Sequence, residues 1–170
     1  MVRSKLQTLQ SLRMHTSGLL LQASSAIGFD PWNGRLVVSL AYFIVTDKEV
    51  EGLDTFVNGK AVAHASEKGL AKLCGQLEVR PLTDFISQSP EELAELLDDL
   101  GSDVPEPLPE EAWFTPEEGL MTVRALIAHL SGNPGALRNA VAIVDELREY
   151  EAVLSRLIGP GVRWHFSVDF

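Results

Sequence analysis

The chain has 170 residues, of which 45% are apolar and 22% charged, and it carries a formal net charge of −10. This composition is typical of a soluble globular domain and excludes the collagen-like, low-complexity and intrinsically disordered classes. A chain of this length buries enough surface to hold a core without disulfides or a structural metal. We therefore expect one folded domain, and nothing in the composition demands a cofactor.

The apolar runs and the single cysteine restrict the class further. The longest nearly unbroken apolar stretch, residues 36–45, is about half of what a membrane-spanning helix requires, so no membrane association is expected. Cys74 is the only cysteine. It can form neither an intrachain disulfide nor a multi-cysteine metal site, and we expect a buried structural thiol. The cysteine count leaves the redox compartment open, and the reducing cytoplasm is the more common setting.

The acidic residues are concentrated in one part of the chain. Residues 81–123 contain twelve of the 24 acids and no Lys or Arg. The remaining residues are nearly neutral, so the net charge belongs to this stretch, which we call the acidic segment. Its field disfavours nucleic acid and anionic lipid and favours a basic protein partner. One-sided charge runs are also typical of surfaces that only confer solubility.

Residues 1–29 differ in composition from the rest of the chain. They contain Arg and Lys, many Ser and Thr, and no acid. This composition fits a weakly structured extension, a packed element or a targeting signal, in that order of preference, because the apolar run is too short for a typical signal peptide. We expect a single α+β domain over residues 30–170, with the first 29 residues as an extension of it.

Two segments have strand patterns. Residues 36–46 are apolar on both alternating faces, which predicts a central strand covered on each side. The pair Asn33-Gly34 is typical of a hairpin turn, and Pro31 would confine the preceding strand to an edge. Residues 162–170 alternate strictly, which predicts a half-buried edge strand. Because two strands alone are marginally stable, an N-terminal third strand or pairing across a homodimer is expected.

Helices are predicted near residues 61–74, 90–100, 116–131 and 135–158, where apolar positions recur at helical spacing. The second and third of these begin with a hydroxyl residue, a proline and a glutamate three residues after the cap, which is the pattern of a capping box. An acidic, proline-rich connector over residues 101–112 joins them. The order of elements predicts an α+β fold, a small antiparallel sheet covered by about four helices.

Motifs that carry chemistry are few, and no phosphate-binding glycine motif or metal-ligand spacing is present. About 13 Å of strand separates the histidine and the aspartate on the polar face of the last strand, so a hydrolase would need a further polar partner supplied by the fold. Solvent-facing positions that block edge-to-edge pairing are the simpler interpretation. The catalytic candidates on this face are Arg163, His165, Ser167 and Asp169.

An aromatic pair at the end of the connector has two interpretations. Trp113 and Phe114 precede the cap of the third helix, where an apolar residue often packs onto the first turn, here against Met121. Alternatively, they anchor an interface with an acidic rim. The residues of this candidate partner site are Glu110, Glu111, Trp113, Phe114, Glu117 and Glu118.

Two functional hypotheses follow from the sequence. The first is a small, acidic, non-enzymatic binding protein of the immunity or antitoxin kind, which engages a basic protein through the acidic segment. The second is a small hydrolase that uses His165. An enzyme needs that histidine in a pocket beside a second polar group, whereas a binding protein needs exposed acids on its surface. Neither hypothesis calls for a metal, a cofactor or nucleic acid.

Overall fold

The computed structural model describes residues 27–30, 35–38, 41–99, 107–108 and 110–169. They form the predicted α+β fold, in which small antiparallel strand pairs accompany about five helices. The strands are β1 (Ile27–Asp30), β2 (Arg35–Val38), β3 (Ala41–Thr46) and β4 (Trp164–Asp169). The helices are α1 (Lys60–Ala65), α2 (Ala71–Gln76), α3 (Pro90–Asp99), α4 (Pro116–Gly132) and α5 (Ala140–Leu157), with a π-helical turn at Ser66–Leu70 and a 3-10 turn at Leu82–Phe85.

The predicted helices are present, with a shift at one end. The helix predicted near residues 61–74 is α1, the π-helical turn and α2 in succession. The last helix begins at Ala140 rather than near residue 135, because the chain before it forms turns and Asn139 has a positive φ of 61°. The capping box of α4 is complete, since Thr115 and Glu118 each accept a hydrogen bond from the other's backbone N–H.

The strand predicted over residues 36–46 is two strands in separate sheets. β2 pairs with β1, and β3 pairs with β4, both antiparallel. The predicted hairpin is present as β1–β2, although its turn, residues 31–34, lies outside the described residues. Within the described part of the chain, the hairpin does not add a third strand to the β3–β4 sheet.

The first half of β4 does not lie at an open edge. One side pairs with β3 along the whole strand. On the other side, Phe114 and Trp164 exchange two backbone hydrogen bonds of 2.9 and 3.0 Å, and the Ser87 N–H donates to the Phe166 carbonyl at 2.9 Å. The prediction of an edge strand was therefore wrong for the first half of β4, because segments distant in sequence pair with its second side there.

The core lies between one face of the β3–β4 sheet and the helices. Trp164 stacks on Phe85 at 5.3 Å between ring centroids and meets Phe166 edge-on at 4.9 Å. All three side chains are fully buried. Helix α4 approaches this cluster through Gly119, where a Cβ atom would overlap the indole of Trp164. The close contact between α4 and the sheet therefore requires glycine at this position.

A buried carboxylate joins α5 to the start of α1. Glu146 is 8% exposed, and its two oxygens accept hydrogen bonds from the backbone N–H groups of Ala61 and Val62 at 3.1 and 2.9 Å. The first N–H groups of a helix have no partner within the helix, and the positive end of the helix dipole favours a carboxylate there. Glu146 therefore fixes the position of α1 against α5.

The connection into α1 is fixed against β3 by Gly59. This residue has a φ of 61°, and a Cβ atom there would overlap both the Tyr42 carbonyl and the Tyr150 hydroxyl. The Tyr150 hydroxyl donates to the Tyr42 carbonyl at 2.6 Å, and the Tyr42 N–H donates to the Gly59 carbonyl at 3.4 Å. These contacts hold the segment before α1 close to the outer edge of β3.

Candidate functional site

The strand face that carries the predicted catalytic residues is largely buried. His165 is 1% exposed and Ser167 is 5% exposed. Arg163, at the entrance to β4, is exposed and forms an ion pair with Asp47 at 3.4 Å. The side chain of Asp169 lies outside the described residues. The prediction of a solvent-facing polar face was wrong for the histidine and the serine, because other segments cover them.

Residues 110–114, which we call the strap, cover His165. The Trp113 ring lies 4.6 Å from the imidazole ring between centroids, at an interplanar angle of 59°. One residue earlier in the strap, the Ala112 N–H donates to the Ser87 hydroxyl at 2.8 Å. The strap begins in the last residues of the predicted connector and continues to Phe114, and these contacts hold it against β4.

Both ring nitrogens of His165 have partners. Nε2 lies 2.9 Å from a carboxylate oxygen of Glu111, and Nδ1 lies 3.1 Å from the Phe166 carbonyl oxygen. Both partners are acceptors, so an imidazolium donates to both, whereas a neutral ring donates to one. A serine nucleophile needs a histidine nitrogen that accepts its proton. In this arrangement neither nitrogen is directed to Ser167, and His165 instead holds the strap.

The structure divides the predicted partner-binding carboxylates. Glu111 points inward to the histidine of β4. Glu118 completes the cap of α4 and forms an ion pair with Arg80 at 3.2 Å. Glu110 and Glu117 are exposed and take part in none of the ion pairs among the described residues. Only these two of the four carboxylates are directly available to a partner.

The aromatic pair packs differently from the predicted staple. Phe114 meets Phe85 edge-on at 5.1 Å, and the Arg80 guanidinium lies over the Phe114 ring at 5.4 Å. Met121, the residue expected to receive the staple, is 66% exposed. The contact of Trp113 is with β4, as described above. Both aromatic residues are only partly buried, so each leaves some surface at the strap.

A cleft of about 750 Å³ lies against the β3–β4 sheet. Phe56, beside this cleft, is 78% exposed. The Gln88 carboxamide oxygen is buried and has no hydrogen-bond partner among the described residues. Sequence reasoning did not identify the cleft, because separate segments contribute its lining and no motif marks them. The lining residues are Ala41, Phe43, Ile44, Asp54, Thr55, Phe56, Val57, Asn58, Lys60, Gln88, Glu92, Ser167 and Val168.

The described residues contain no cluster of three or more side chains that could hold a metal ion. None of the described helices is both long and apolar enough to cross a bilayer.

Cys74 is fully buried, and burial raises the pKa of its thiol, so the reactive thiolate is disfavoured. This agrees with the predicted structural role of the cysteine.

Comparisons of the chain with protein-family models, with curated proteins and with solved structures gave no significant match.

Proposed function

We propose that this chain is a small, non-enzymatic binding protein that engages a basic protein partner through the acidic segment, in the manner of an immunity or antitoxin protein. The observation that carries the proposal is a set of exposed carboxylates in a segment without Lys or Arg. None of them takes part in an ion pair among the described residues. They are Asp84, Glu91, Glu92, Glu95, Asp98, Glu110 and Glu117.

Uncompensated surface charge of one sign steers a partner of the opposite sign during encounter. At about 0.15 M salt the reach of such charges is about 8 Å, so they act mainly on the association rate and lose effect as salt rises. The same field repels DNA, RNA and anionic lipid. A basic protein is therefore the partner class that the charge distribution favours.

The hydrolase hypothesis has less support. It requires His165 as a base, and both of its nitrogens already contact acceptors beneath the strap.

We also propose a cytoplasmic location, because the single buried thiol suits a reducing compartment. Self-association through the sheet is the remaining proposal for oligomeric state, and sedimentation of the purified chain at several concentrations tests it.

The partner can be sought by pull-down from a lysate of the source cells at low and high salt, followed by surface plasmon resonance with the captured protein. The double variant Glu110→Lys and Glu117→Lys should slow association severalfold. The matched control, Glu49→Lys and Glu149→Lys, reverses two exposed acids outside the acidic segment. An association rate that neither salt nor the first pair changes would contradict the proposal.

A further inference from the structure

We propose that the cleft beside β3 binds an extended peptide segment of the partner that carries a Lys or Arg side chain. This inference rests on the proposed function, and it names the part of the surface that contacts the partner's main chain. Two lining residues, Gln88 and Glu92, belong to the acidic segment. The cleft therefore adjoins the charge that would steer the partner.

The cleft offers an apolar contact of the kind used at interfaces. Phe56 is 78% exposed, and Phe43 of β3, also in the lining, is half-buried. A volume of about 750 Å³ is within the range of binding clefts in proteins. Aromatic side chains at the centre of an interface commonly contribute most of the binding energy. Phe56 is therefore the expected anchor.

The charges in the cleft call for a ligand that has both a cation and an acceptor. Asp54 and Glu92 are exposed, and neither has a basic partner among the described residues. Lys60 lines the same cleft. A polyamine has only donors, so it cannot accept a hydrogen bond from the Lys60 ammonium. An anionic ligand would be repelled by the two carboxylates. A peptide with a basic side chain supplies a cation and carbonyl acceptors together.

The polar groups of the cleft also suit a peptide main chain. The buried Gln88 oxygen needs a donor, which a backbone N–H can supply. In an antiparallel ladder, alternate residues direct their N–H and C=O groups to opposite sides. Because Tyr42 directs its N–H to Gly59 and away from β4, Ile44 directs its own N–H and C=O groups to the same edge, and Ile44 is one of the residues that line the cleft. A strand edge is a common docking site for extended peptides.

The test measures fluorescence polarisation of two labelled hexapeptides, Val-Arg repeated three times and Val-Glu repeated three times, with the full chain. We expect saturable binding of the arginine peptide and none of the glutamate peptide. Glu92→Lys should weaken binding about tenfold, and Phe56→Ala should weaken it about fivefold. Glu149→Lys, which makes the same charge change on α5, should change it less than twofold. These side chains are exposed, and circular dichroism checks that each variant folds.

Three results would overturn the assignment of the cleft: no binding of the arginine peptide, equal weakening by Glu149→Lys, or binding that is unchanged by Phe56→Ala. Peptide binding that appears only after removal of residues 1–26, or only on dissociation of a dimer, would assign the cleft to another occupant. If the captured partner binds with a salt-dependent rate and the peptide does not, the cleft assignment fails alone. If the peptide binds but no basic partner is captured, the proposed function fails alone.

Discussion

Trp164 and His165 are neighbours in β4 that face opposite sides of the sheet, and both are buried. Trp164→Ala should cost about 3–5 kcal/mol of unfolding free energy, because it leaves a large cavity among the core rings. His165→Ala should cost about 1–3 kcal/mol, because it leaves the Glu111 carboxylate without its partner beneath the strap. Chemical denaturation measures both values. Arg163→Ala, at an exposed position just before β4, is the control, and a His165→Ala value equal to it would show that the histidine does not hold the strap.

Two glycines with similar backbone conformations allow crowding to be separated from backbone strain. Gly59 and Gly52 have φ values of 61° and 69°, but a Cβ atom is crowded only at Gly59. Gly52→Ala should cost about 1–2 kcal/mol, the usual price of a left-handed residue that is not glycine. Gly59→Ala should cost clearly more, because Tyr42 and Tyr150 must also move. Thermal melts of the two variants decide the point, and equal losses would mean that Tyr42 and Tyr150 do not crowd position 59.

Burial, together with the nearby charge of Glu146, raises the pKa of Tyr150 above its ordinary value of 10.0. The unfolded chain therefore releases this proton at lower pH than the folded chain does. The contribution of protonated Tyr150 to the free energy of unfolding is therefore fully present below about pH 10. This contribution is lost as pH rises above that value. In a Tyr42→Phe variant, which leaves Tyr150 as the single tyrosine, tyrosinate absorbance should appear only as far-UV circular dichroism is lost. Ionisation in a chain that is still folded would show that Tyr150 is accessible to solvent.

The strap is held by a few side-chain contacts and by one backbone bridge between Phe114 and Trp164, rather than by a continuous ladder. Trp113→Ala removes the ring that lies on His165, so the strap should open more often. Hydrogen exchange of the Ala112 and Phe114 amides should accelerate about tenfold or more, while the amides of α5 should be unaffected. Val141→Ala, which truncates a side chain that is 70% exposed, is the control. Equal acceleration in α5 would indicate global destabilisation instead of local opening.

The sequence predicts the helices better than the strands, for a physical reason. Helix signals are local: the capping box of α4 lies within four residues, and the apolar stripe repeats along the same element. The environment of β4 depends on Ser87 and Phe114, which lie far away in the chain and pair with its second side. Alternation alone cannot show such coverage, so the pattern predicts a solvent-facing His165, whereas this side chain is buried.

Residues 1–29 are predicted to be an extension that the core does not need, although residues 27–29 belong to β1. The described core begins at Tyr42. We expect a chain that starts at Asp30 to unfold cooperatively, with a midpoint within a few degrees of the full chain. Circular dichroism melting measures this. A broad or absent transition would show that these residues belong to the core.

The sequence also predicts only part of the candidate sites. The acidic segment is visible in the sequence, because charge composition needs no structure. The division of its carboxylates is not visible: Glu111 and Glu118 have internal partners, and Glu110 and Glu117 do not. The cleft could not be predicted either, since only the tertiary fold brings the 54–58 loop, the residues before α3 and the sheet together.

The pairing of β3 with β4 also has a consequence for the rate of folding. Their paired residues lie more than 100 positions apart in the chain, and all the helices that the structure describes lie between them. Closing so long a loop costs chain entropy before any contact repays it, and such contact order slows folding. The hairpin of α4 and α5 can form earlier, because its contacts are local. The sheet that positions both the strap and the cleft is therefore expected to form late, after the helices against which it packs.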